Sequence, residues 1–205
     1  MAVVYSQNGV IVRETNNKSV IGGKTYRTVK MPDGKVWLAE NLDFKFCQVG
    51  GSGSSTTPNA WYYDNNEATY GWEGKKYGLL YNWYAIKFLN NNRNDLCPGW
   101  HVPSTTEWDT LASALGGAST AGTILKSTTD WTSGAGTDEY GFTALPSGFY
   151  DVSFSYLGSR SIFWTSIEYN SSSSYDRLLF PGDSLESTHN VKTCGFSLRL
   201  VRDAT

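Results

Sequence analysis

The residues of this 205-residue chain that could carry covalent or metal chemistry are few and scattered. Cys47, Cys97 and Cys194 are spaced far too widely for a C-x-x-C redox pair or a zinc knuckle. Their odd count fits one structural disulfide with a thiol left over, or three buried free thiols, and a structural role outweighs a catalytic one. His101 sits in the tight stretch Cys97-Pro98-Gly99-Trp100-His101-Val102-Pro103, where orienting the backbone is its simplest role. His189 lies in the polar run Ser187-Thr188-His189-Asn190, solvated or facing a ligand. The sequence has no H-x-x-x-H pair, G-x-S-x-G elbow, phosphate-binding glycine loop, dinucleotide fingerprint or Asp-rich calcium loop. Glu107 is accounted for by a helix cap, Glu40 by a strand end, and the Asp138-Glu139 pair by a solvated glycine-rich loop. The chain is therefore read as a non-enzyme needing no cofactor and no metal.

A different chemistry is written between Gly148 and Asn190. Tyr150, Phe154, Tyr156, Tyr169, Tyr175 and Phe180 alternate there with Ser, Asn, Asp and Gly. Aromatic anchors offer large contact area at little rotamer entropy, and small polar residues adapt their hydrogen bonds, the mixture used by antibody paratopes. The candidate ligand-binding residues are Tyr150, Asp151, Phe154, Tyr156, Tyr169, Asn170, Tyr175, Asp176, Leu178, Phe180, Asp183 and His189. Within 175–180, period-2 alternation sends Tyr175, Arg177 and Leu179 to one face and Asp176, Leu178 and Phe180 to the other. One set is expected in the core and the other at the surface.

The elements that must position these residues form an α+β pattern. Residues 1–20 alternate weakly and read as an extended arm or the end of a linker. Residues 24–30 and 35–39 predict a β-hairpin closed by Pro32-Asp33-Gly34, with Pro fixing φ and Gly admitting a positive one. The flexible composition of 50–59 marks a loop, and 61–74 gives no clean period. Residues 79–89 (LLYNWYAIKFL) predict a helix with an aromatic stripe. Ser104-Thr105-Thr106-Glu107 is a capping box, followed by Trp108, Leu111, Ala112 and Leu115 on one helical face and by Gly116-Gly117 as exit. A short helical turn follows near 121–126. From Phe142 onward the pattern turns to β, with strands expected at 142–145, 149–151, 161–166, 175–180 and 195–202. Hairpin, helices and then a meander give α+β, not the alternation of a parallel sheet.

Composition narrows the function classes. Seventeen Lys+Arg against 19 Asp+Glu leave a formal charge of −2 with no basic stripe, which excludes nucleic acid as a main partner. No apolar run approaches the ~18–20 residues that cross a bilayer, so membrane insertion is not expected. The opening residues lack the basic start, apolar stretch and cleavage site of a secretory leader. Aromatics reach 15% and charged residues only 18%, a globular profile.

Five ordered motifs carry a resemblance: Val36-Trp37-Leu38-Ala39-Glu40-Asn41-Leu42, Tyr77-Gly78-Leu79-Leu80-Tyr81-Asn82-Trp83, Cys97 to Ser104 with Glu107-Trp108, Phe163-Trp164-Thr165-Ser166, and Gly195 to Arg202. Over about 24–203 the chain resembles the Fibrobacter succinogenes major paralogous domain of Bacteroidetes and their phages. That family is similar to the C-type lectin-like fold, in the branch shared with formylglycine-generating enzymes. The resemblance implies one α+β domain over 21–205, with an N-terminal hairpin, two main helices, adjacent terminal strands and a C-terminal β-meander with long irregular loops. It also resembles the variable proteins of diversity-generating retroelements, which implies that 148–190 is a mutable surface for protein or glycan ligands on cells. It implies a location on a virion tail or at a cell surface. The alternatives are a fimbrial or tail-fibre assembly subunit, with the 1–20 arm as the expected contact for homo-oligomers, and, further off, an enzyme of the formylglycine-generating branch. The lectin calcium motifs Glu-Pro-Asn, Gln-Pro-Asp and Trp-Asn-Asp are missing, so calcium-dependent sugar binding is not carried over. Leu200 stands where the family commonly has a cysteine after the Arg of the final strand, which leaves Cys47 or Cys194 as substitute partners for Cys97.

Overall fold

A computed structural model describes residues 3–7, 10–15, 17–51, 56–74 and 76–204. Its strands are β1 (Val3–Gln7), β2 (Val10–Thr15), β3 (Lys18–Ile21), β4 (Lys24–Lys30), β5 (Lys35–Leu38), β6 (Gln48–Val49), β7 (Asn59–Trp61) and β8 (Leu80–Tyr81). After the helices come β9 (Ser147–Asp151), β10 (Ser153–Leu157), β11 (Ser161–Glu168), β12 (Ser173–Leu179), β13 (Leu185–Val191) and β14 (Val201–Asp203). The helices are α1 (Glu67–Tyr70), α2 (Trp83–Asn91), α3 (Arg93–Leu96), α4 (Thr105–Ala114) and α5 (Ala118–Leu125). The class is α+β.

The β4–β5 hairpin forms as its turn chemistry requires. Gly34 takes φ +83°, and Asp33 accepts the Lys35 N–H through Oδ1 (2.9 Å) and the Trp37 indole N–H through Oδ2 (2.9 Å). This pair sits in a six-stranded sheet of order β1-β2-β3-β4-β5-β14, in which the last strand lies antiparallel to β5 (Val201 opposite Trp37). Residues 3–7 and 10–15, read from sequence as part of an arm, pair antiparallel with each other, and β2 pairs with β3. A second sheet has order β10-β9-β11-β12-β13, and β6-β7-β8 form a small third one.

Helix α4 begins at the capping box. Ser104 Oγ accepts the Glu107 N–H, and Glu107 Oε2 accepts the Ser104 N–H (2.8 Å) and hydroxyl (3.0 Å). Trp108, Leu111 and Ala112 are its buried face. They join Trp37, Leu125, Trp131, Phe142, Phe163, Leu179 and Leu185 in one apolar cluster. A second cluster gathers Tyr26, Leu38, Ile86, Leu89, Trp100, Trp164, Phe196, Leu198 and Leu200. Arg199, fully buried, ties the sheet to the 142–143 loop. Its guanidinium donates to the carbonyls of Leu38 (2.8 Å), Phe142 (2.7 Å) and Thr143 (2.8 Å) and to Asn41 Oδ1 (2.8 Å).

Several expectations are corrected. The helix expected from residue 79 starts at Trp83, because Asn82 caps it by accepting the Ala85 N–H (2.9 Å); Leu80–Tyr81 before it is a strand. The expected strand at 142–145 is reduced to a single bridge between Lys126 and Ala144. Residues 195–202 thread the core on isolated bridges (Phe196 with Tyr81, Ser197 with Phe163, Val201 with His101) and become a strand only at Val201–Asp203. Of the two cysteine readings the structure has the three free thiols, Cys47 half-buried and Cys97 and Cys194 buried, with no pairing of Cys97 to either. Burial pushes each thiol pKa up to about 12, far from a reactive thiolate.

Candidate functional site

Strand β12 organises the candidate residues. It pairs on one side with β11 (Phe163 opposite Arg177, Trp164 opposite Asp176) and on the other with β13 (Tyr175 opposite His189, Leu178 opposite Glu186). Because both flanks are occupied and helices cover one face, the expected division into a core set and a surface set fails at its centre. Asp176 and Arg177 point to opposite faces and both are buried. Arg177 donates to Asp109 Oδ1 (2.7 Å), the Thr105 carbonyl (3.0 Å) and Ser187 Oγ (2.7 Å), fastening the sheet to α4. Asp176 accepts from the Thr188 hydroxyl and from Asn190 Nδ2 (2.9 Å). Burial raises its carboxyl pKa, and these two bonds work against that rise.

The other candidates divide between the two ends of β12, about 20 Å apart by the rise of a seven-residue strand. At the 179 end, Tyr156, Arg160, Leu178, Phe180, Pro181 and Glu186 line a cleft of about 420 Å³. Tyr156 is 51% exposed, its ring stacks on Phe149 (5.4 Å), and the Arg160 guanidinium lies 4.0 Å from the ring centre. Its φ of +61° places a bulky side chain in the left-handed region. Facing it across the hairpin is Gly148 at φ +63°, where a Cβ would stand 2.5 Å from the Ser155 carbonyl oxygen. At the 173 end, Tyr169 is 47% exposed, stacked on His189 (centroids 3.8 Å) and edge-on to Tyr175 (5.2 Å). A second cleft of about 320 Å³ opens there between α2 and Ile167.

The remaining candidates take scaffold or rim positions. Tyr150 is buried and stacked on Trp61 (4.5 Å), and Phe154 packs against Tyr150 and Tyr63. Asn170 builds its own turn, Oδ1 accepting the N–H groups of Ser172 (2.9 Å) and Ser173 (2.8 Å). Asp151 is exposed beside Val152, a β-branched residue at φ +61° and 89% exposed on the β9–β10 turn. Asp183 is exposed and accepts from Thr123 Oγ1 (2.8 Å). Arg160, Val152 and Ile167 were not singled out in the sequence. The aromatic-flanked Arg160, four residues after Tyr156, was the one readable signal among them.

Among the described residues no cluster of three or more His, Cys, Asp and Glu side chains could hold a metal ion, and no helix is long and apolar enough to cross a membrane. The His101–Glu107 pair (Nε2 to Oε1, 2.7 Å) lies elsewhere, with Lys35 Nζ 3.3 Å from the same oxygen. Burial raises the Glu107 carboxyl, but His101 and the Ser104 N–H and hydroxyl outweigh it and bring its pKa down to about 2.

The model of the Fibrobacter succinogenes major domain family matches residues 31–202, and the chain belongs to that family. No curated protein and no solved structure gives a significant match.

Proposed function

We propose that this member of the Fibrobacter succinogenes major domain family is a recognition domain of a phage or bacterial surface protein. Its binding surface is the 148–190 tract, carried on a C-type lectin-like scaffold, and it acts by binding protein or glycan targets without catalysis, calcium or any other cofactor. One observation carries the reading. The exposed large hydrophobic side chains of the described residues are Val49, Phe88, Tyr140, Val152, Tyr156, Ile167, Tyr169 and Val191, so four of eight fall within 148–190 and Val191 adjoins it. Exposed apolar groups concentrated on one tract mark an interaction surface, whereas single scattered ones need no explanation. The Tyr156–Arg160 pair beside the apolar cleft has the composition of a binding hot spot.

Screening the purified chain against arrayed surface glycans and displayed peptides tests this. Tyr156→Ala, Tyr169→Ala and Phe180→Ala are each expected to cost about 2 kcal/mol or more in binding the captured ligand, with thermal stability nearly unchanged. Retained affinity in all three would overturn the assignment. Diversification by a retroelement predicts a reverse transcriptase gene and an imperfect repeat of the 148–202 coding segment nearby. The second reading, an assembly subunit, rests on β1, the edge strand of the six-stranded sheet. Light scattering with and without residues 1–16 decides it, a monomer in both cases removing it.

A further inference from the structure

The two aromatic ends of β12 are each held by one buried lysine, and the grip is almost wholly on main-chain carbonyls. Lys192 is 4% exposed. Its ammonium donates to the carbonyls of Asn170 (2.8 Å) and Ser171 (2.9 Å), and its backbone N–H donates to the carbonyl of Ser172 (3.0 Å). One residue thus takes three successive carbonyls of the turn that carries Tyr169. Glu168 Oε1 lies 3.2 Å from the same ammonium, and the Trp83 ring centre 5.0 Å away.

Lys126, at the C-terminal end of α5 and 1% exposed, is the counterpart at the other end. Its ammonium donates to the carbonyls of Gly134, Phe180 (3.1 Å) and Gly182 (2.7 Å), with the Trp131 ring centre 5.2 Å away. The neighbouring helix backbone adds Thr123 N–H to the Asp183 carbonyl (3.2 Å). Gly122 permits the close approach, since a Cβ there would stand 2.4 Å from the Ser184 carbonyl oxygen.

A buried ammonium is stable only when its donors are satisfied, and a charged donor makes a stronger bond than a neutral one. Apart from Glu168 Oε1 on Lys192, the acceptors here are atoms that every residue possesses. The Tyr169 and Phe180 side chains contribute none of these bonds. We infer that Lys126 and Lys192 are positioning residues that fix the 169–172 and 180–184 turns by their main chains, so that Tyr169, Ser171, Phe180 and Asp183 can change side chain without loss of the turn, with Asn170 adding side-chain bonds of its own. The inference deepens the recognition reading, yet its test needs no ligand, so the two stand or fall separately.

The test is amide hydrogen exchange followed by mass spectrometry on the intact chain. Lys192→Met is expected to speed exchange in 169–173 by about tenfold or more, and Lys126→Met to do the same in 180–184, each leaving the other turn unchanged. Tyr169→Ser with Ser171→Tyr, and separately Phe180→Tyr with Asp183→Ser, should leave both turns within about twofold of wild type. Side-chain variants that loosen a turn as much as the lysine variants would overturn the inference, as would lysine variants with unchanged exchange. Should a lysine variant fail to fold, the side-chain pairs still decide, because turns held by side chains would loosen in them.

Discussion

Seven of the eight tryptophans (Trp37, Trp61, Trp83, Trp100, Trp108, Trp131 and Trp164) are buried, whereas Tyr156 and Tyr169 are 51% and 47% exposed. Three of the buried rings also close hydrogen bonds deep in the fold: the Trp164 indole donates to the Tyr81 carbonyl (2.7 Å), that of Trp83 to the Thr165 carbonyl (3.2 Å), and that of Trp131 to the Ala144 carbonyl (3.1 Å). The Trp108 indole N–H, by contrast, has no partner among the described residues. Strand β11 passes from one regime to the other, its residues 161–165 buried and Ile167 and Glu168 exposed. Aromatic content therefore serves two ends in one chain. Rings that fill volume and close hydrogen bonds stabilise the fold, while rings left half in water contribute little to it.

Removing the Arg199 keystone attacks the first regime hardest. Arg199→Met leaves three buried carbonyls and Asn41 without their donor, and is expected to cost about 5 kcal/mol or more. Urea denaturation, or the absence of folded protein on expression, reads this out; a loss under about 2 kcal/mol would separate Arg199 from the scaffold.

Glu107→Gln comes next, at about 1–2 kcal/mol near neutral pH: the amide oxygen can still accept the Ser104 N–H, but the negative charge facing His101, Lys35 and the helix N-terminus is lost. The folded carboxyl is depressed to about 2 from an ordinary 4.5. Its stabilisation is thus fully present above 4.5 and is lost as pH falls through that value towards 2. The gap between wild type and variant should close over the same window in pH-dependent unfolding, and a gap independent of pH would contradict the assignment.

The smallest effect lies in the second regime and has the opposite sign. Val152 holds φ +61° on an open turn, a conformation glycine adopts freely. Val152→Gly should raise stability by up to about 1 kcal/mol, seen as a higher Tm, while weakening recognition if the side chain is displayed for contact. A lower Tm would show that Val152 is a packing residue.

The sequence made the regular parts of this scaffold readable for physical reasons. Ser104 and Glu107 announce α4 because a capping box is local, and Pro32-Asp33-Gly34 announces its hairpin for the same reason. Of the strands the sequence does not announce, β10 and β13 are the two edges of the five-stranded sheet. Strands β1 to β3 read as an arm, β6 and β7 lie beside or within loop and irregular chain, and β8 reads as part of a helix. The β13 sequence LESTHNV carries little hydrophobic period to read, whereas the alternation Ser153-Phe154-Ser155-Tyr156 of β10 is a strand pattern too short to stand out beside the β9 turn. The sequence hides the start of α2 because the buried pair Leu80–Tyr81 continues the apolar run across the Asn82 cap. Candidate residues between 148 and 190 were recognisable by type, but their division between two ends of β12 and a buried centre depends on pairing across strands. Asp176 and Asn170 look alike in sequence to exposed polar residues; only β13 and the 169–172 turn give them their hydrogen bonds.

The central claim, that the displayed rings are dispensable to the fold, is tested most directly by urea unfolding of the triple variant Tyr156→Ala, Tyr169→Ala, Phe180→Ala beside Trp164→Ala. The single core substitution is expected to lose about 3–5 kcal/mol, and the triple variant, three partly exposed rings together, no more than about 2 kcal/mol with an unchanged denaturant slope. A triple variant as destabilised as Trp164→Ala would place those rings in the core and contradict the account.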